Sequence, residues 1–98
     1  MSHPIRVIAL FIARDNQIAA LQKLLQSLIP PTLQESGCIQ YELHQNLSHP
    51  SDFAFIEEWR SEEDLDKHLN SEHVEEMKKI VGDFIVGDPD IRRYKLLD

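Results

Sequence analysis

The chain has 98 residues, 42% of them apolar and 28% charged, with a formal net charge of −7. That length fits one domain, spanning 1–98, and a core small enough to gain from pairing with a second copy. The negative charge disfavours nucleic acid and anionic membrane surfaces, and no apolar run is long enough to cross a bilayer. The one cysteine, Cys38, has no internal partner for a disulfide, and the start of the chain lacks a secretory pattern, so a cytoplasmic location is expected.

Ile5 to Ala13 reads as the first strand. Ile5, Val7, Ala9 and Phe11 fall on one face, and Ile8, Leu10 and Ile12 on the other. A strand apolar on both faces has to be covered on both. Asp15 is placed to cap a helix starting near Asn16, whose stripe is Ile18, Leu21, Leu25 and Leu28. Pro30-Pro31 should stop or kink it, and Gly37 should give a left-handed exit.

Cys38 to Leu47 alternates, with Ile39, Tyr41 and Leu43 opposite Gln40, Glu42 and His44. A turn cluster over 46–52 leads into a returning strand, Phe53 to Arg60, in which Phe53, Phe55, Glu57 and Trp59 share a face. Ser61 and Asp64 have capping-box spacing, and Leu65, His68 and Leu69 line one side of the helix that follows. Asn70-Ser71 interrupts it. A second helix buries Val74, Met77, Val81 and Phe84, and Asp88-Pro89 introduces the last strand. The order is β-α-β-β-α-β, an α+β, ferredoxin-like arrangement.

The chemical candidates gather in the middle third. Trp59 can hold a flat ring or pass an electron, or it can simply anchor the core. His68, on an apolar helix side, can take a phenolic proton, or it can be a buried ring bonded to a carbonyl or to Glu57. Glu57 is a carboxylate among aromatics and needs a partner, either His68 or an arginine such as Arg6 or Arg92. Tyr41 can bond a substrate oxygen or be core. His44 can line the same cavity or lie on the surface. His73 reads as a surface residue at a helix start. His68 and His73 are not at the i, i+4 spacing of a two-histidine helix site, so no metal is expected. The three scattered glycines form no dinucleotide or phosphate loop, so no nucleotide cofactor is expected either.

Gly37-Cys38 with Tyr41 and Leu43, then Phe53, Glu57 and Trp59, then His68, Ser71 and His73, resemble the antibiotic biosynthesis monooxygenase domain family. The resemblance implies a dimeric α+β barrel, in which two protomers bring their sheets together. It implies a homodimer acting on a small aromatic substrate with molecular oxygen and without a cofactor, with His68 and Glu57 as the catalytic pair, His68 as base and Glu57 orienting it, and Trp59, Tyr41 and His44 as lining. Haem degradation in that family uses an asparagine on the first strand, and this strand has none. The reading that follows is a cofactor-independent monooxygenase for a quinol or similar aromatic. The alternatives are an isomerase of a small carbonyl or sugar phosphate, with Arg92, Arg93 and Lys95 near the phosphate, and a non-catalytic dimeric ligand-binding module.

Overall fold

The computed structural model describes residues 3–98. The strands are β1 (Ile5–Ile12), β2 (Cys38–Gln45), β3 (Asp52–Trp59) and β4 (Asp90–Lys95). The helices are α1 (Ile18–Gln26), α2 (Ile29–Leu33), α3 (Glu62–Leu69) and α4 (Glu72–Ile80), with a 3-10 turn over Val81–Asp83. The sheet is antiparallel throughout, in the order β2-β3-β1-β4. This is the ferredoxin-like arrangement expected from the element order.

The pairing of β1 with β3 sorts the two faces. Ile5, Val7, Ala9 and Phe11 lie opposite Trp59, Glu57, Phe55 and Phe53, and all eight are buried. Leu21, Leu25, Leu65, Val74 and Met77 cover this inner face from the helices. Its aromatics stack in register: Tyr41 lies flat on Phe55 with ring centroids 4.5 Å apart, and Phe11 meets Phe55 edge-on at 6.1 Å. Among the described residues, no helix lies over the outer face. Ile8 pairs with Ile56 and Leu10 with Ala54, and Ile8 and Ile12 remain 37% and 48% exposed.

Some local details differ from the sequence reading, among them the start of α1 and the conformation of Gly37. Asp15 does not cap α1. Ala13 is bridged to Ile85, and the Arg14 amide donates to the Phe84 carbonyl, so the chain must turn before it can coil. Asn16 makes that turn at φ +68°, and α1 begins two residues later without a side-chain cap. The prolines end one helix and open another, because in the first turn of α2 an amide hydrogen has no helical partner to lose.

Gly37 is not left-handed. Its place is fixed by proximity, since a Cβ there would run into the Cβ and Cγ of Asp64. Asp64 is itself held, because its amide donates to Ser61 Oγ and its carboxylate accepts the Ser61 hydroxyl, both at 3.1 Å. Gly37→Ala should therefore destabilise the protein by about 1–3 kcal/mol, read as a lower urea midpoint at unchanged slope. An unchanged midpoint would show that α3 can yield at its first turn.

Candidate active site

A cavity of about 380 Å³ lies between the inner sheet face and the helices. Val7, Ala9, Phe11, Phe55, Leu65 and Met77 give it an apolar wall, and Tyr41, Glu57 and His68 supply its polar groups near the sheet. A mostly apolar hollow with a few convergent polar groups is the usual form of a small-molecule site.

The break between α3 and α4 builds the polar end. Ser71 turns the corner: its hydroxyl donates to the His68 carbonyl at 2.6 Å and accepts the Val74 amide at 3.4 Å as the cap of α4. His68 closes α3 and His73 opens α4, which brings their rings to 5.9 Å between centroids. Glu35, in the turn between α2 and β2, reaches both rings. Its Oε2 lies 2.7 Å from His68 Nδ1 and 2.9 Å from His73 Nε2. The helix interruption that spoils the i, i+4 spacing is what brings the two imidazoles together.

His68 is buried, while Glu35 and His73 are about one-fifth exposed at their side chains. Burial lowers the His68 pKa, and the hydrogen bond to Glu35 opposes that shift. A carboxylate only accepts hydrogen bonds, so Glu35 fixes the proton of a neutral His68 on Nδ1 and leaves the Nε2 lone pair uncommitted. Among the described residues, Nε2 makes no hydrogen bond.

Glu57 is paired with neither His68 nor an arginine. Its Oε1 accepts the Trp59 indole N–H at 2.8 Å, and Arg6 pairs with Glu58 while Arg92 pairs with Asp90. Desolvation raises the Glu57 pKa to about 7 against the Trp59 bond, with the Glu35 charge adding to the rise. Burial first, then the Glu57 charge, pushes the Tyr41 phenol far above its ordinary value, so it stays protonated. Burial likewise raises the Cys38 thiol to about 11, which removes it as a thiolate near neutral pH.

The five residues singled out from sequence are thus placed differently from one another. His68, Glu57 and Tyr41 meet at the cavity. Trp59 is fully buried one layer behind, its ring tilted 35° against His68 at 4.5 Å, and is not part of the wall. His44 is exposed on the other face of β2, 3.1 Å from Glu42, and does not reach the cavity. Glu35 was missed, and His73, read as a surface residue, is instead held in the site. Nothing local marks Glu35, which faces residues 33 and 38 positions away.

The sequence profile described as antibiotic biosynthesis monooxygenase matches residues 4–80. The chain belongs to that family. This places it among oxidoreductases. A relative from Mycobacterium tuberculosis, named "Putative monooxygenase Rv0793", is 34% identical over 85 residues, covering 87% of this chain and 83% of its own. The solved structure of Rv0793 superposes with a TM-score of 0.91 at 32% identity, covering 97% of this chain and 96% of that one. PA3566 from Pseudomonas aeruginosa superposes with a TM-score of 0.90 at 33% identity, over 98% and 97% of the two chains.

Glu57 gives a pH signature. Its carboxyl holds a proton more tightly when folded than when unfolded, so its contribution to stability is greatest below pH 4.5. That contribution is lost as pH rises to about 7. The loss should be roughly 3 kcal/mol. Glu57→Gln keeps an acceptor for Trp59 and should flatten this slope in urea titrations from pH 4 to 8. A slope equal to that of the parent would mean that Glu57 is ionised throughout.

Proposed function

We propose that this chain is a cofactor-independent monooxygenase acting on a small electron-rich aromatic of the quinol type. The observation that carries this reading is the His68 ring at the cavity wall, with Nδ1 engaged by Glu35 at 2.7 Å. The family and the monooxygenase name of the Rv0793 relative support the same class of chemistry.

Ground-state dioxygen is a triplet and reacts slowly with closed-shell molecules. A deprotonated quinol is a far better one-electron donor than the quinol itself. His68 Nε2 takes the hydroxyl proton, and Glu35 stabilises the imidazolium that forms. One ring C–H of the quinol becomes C–O and the ring is oxidised to a hydroxyquinone. Dioxygen gives one oxygen to the product and one to water, and all four electrons come from the substrate. Tyr41 and a protonated Glu57 are donors for the substrate oxygens. The apolar wall holds the ring and excludes water. Trp59 acts from behind, by packing His68 and engaging Glu57.

The activity test is oxygen uptake with a panel of quinols. His68→Ala should lower kcat by about 10²–10⁴. Glu35→Gln should lower kcat with little change in KM, because the ring loses its fixed tautomer while the cavity keeps its shape. Full activity in His68→Ala would remove the base from this mechanism.

We also infer that the working unit is a homodimer closed over the outer sheet face. The uncovered stripe of Ile8, Leu10, Ile12, Ala54 and Ile56 supports this, since a monomer would leave it in water. Sedimentation equilibrium should give twice the chain mass, and Ile56→Asp should give single chains that keep their helical circular dichroism. A parent protein of single-chain mass would contradict the inference.

A further inference from the structure

We propose that Glu35, His68 and His73 form a binding site for a divalent transition-metal ion of zinc type. Their three ligand atoms lie within 4.8 Å of one another, and no other such cluster occurs among the described residues. Two imidazole nitrogens and a carboxylate oxygen are a zinc donor set, and three protein ligands leave one position for water.

The geometry is close to what an ion requires. Both ring nitrogens converge on one point, which Glu35 Oε2 now occupies at 2.7 and 2.9 Å. Zinc binds imidazole nitrogen at about 2.0–2.1 Å, so two of its tetrahedral ligands sit about 3.4 Å apart. An ion entering at the shared point takes the place of a proton on each of the two ring nitrogens, so each neutral ring carries its proton on its other nitrogen instead; it draws the rings inward by less than an ångström each and pushes the carboxylate to the side. The exposed edges of Glu35 and His73 give an approach from solvent. Ser71 Oγ, 3.3 Å from His73 Nε2, and the corner it caps hold the two rings in position. Lys78 is the nearby cation that opposes binding; its Nζ is held by the Leu69 carbonyl at 2.9 Å.

Occupancy has a consequence for His68. A metal on Nδ1 leaves the ring proton on Nε2, so the nitrogen facing the substrate becomes a donor. The ion would therefore inhibit, and this clause rests on His68 being the base proposed above.

The site is tested without activity. The untagged full chain, stripped with a chelator, is titrated with Zn²⁺ by calorimetry and with Co²⁺ by visible absorption. The expected result is one ion per chain at micromolar or tighter affinity. Loss of even an outer-shell partner typically weakens metal binding by about 10–100-fold, so His73→Ala and Glu35→Ala should each weaken it by at least ~10-fold. His44→Ala, on the opposite sheet face, should leave binding unchanged. Absence of binding, or binding lost in His44→Ala and kept in His73→Ala, would overturn the site. If a variant does not fold, Co²⁺ broadening of amide signals in the parent protein decides. Broadening centred on residues 35, 68 and 73 supports the site, and broadening centred on residues 44 or 49 overturns it. Binding without inhibition of oxygen uptake would count against His68 as the base and leave the site standing.

Discussion

One carboxylate oxygen, Glu35 Oε2, holds two imidazoles at once. It joins the turn before β2 to the corner between α3 and α4, regions far apart in the chain. Without it His68 would be a buried ring with its Nδ1 unpaired, and a buried polar group left without a partner costs more than the bond itself contributes. Glu35 therefore has a structural role and a chemical one. It ties the end of α3 to the α2–β2 turn, and it selects the Nδ1-protonated tautomer of a neutral His68.

The aromatic layer behind this bond keeps it in register. Trp59 is fully buried, packs against His68 and donates its N–H to Glu57. Each of the three side chains is oriented by the next. Tyr41 stands edge-on to both Trp59 and His68, and its other face is stacked on Phe55. Close packing of this kind restricts ring motion, which lets a few polar groups keep fixed directions in an apolar wall.

Much of the fold was legible in the sequence because it follows from periodicity. The alternation in Ile5 to Ala13 separates a buried row from an uncovered one, and Ser61 and Ser71 mark the starts of α3 and α4. The departures have particular causes. Asp15 looked like a cap, but the chain is first tied down at Ala13 and Arg14 by contacts to residues 84 and 85. Gly37 looked like a turn residue, but it is small because Asp64 sits against it. At the site, His68 and Glu57 were visible as polar residues on apolar faces. Glu35 was not, because only tertiary packing brings the α2–β2 turn to the α3–α4 corner. His73 was read as surface for the same reason, since its partner lies 38 residues earlier.

The direct test of this account is the protonation pattern of His68, read by long-range proton–nitrogen NMR of the imidazole in the parent protein near neutral pH. A neutral ring with its proton on Nδ1, converting to a mixed or Nε2-protonated ring in Glu35→Gln, is the predicted result. A parent ring already protonated on Nε2, or charged at neutral pH, would contradict it.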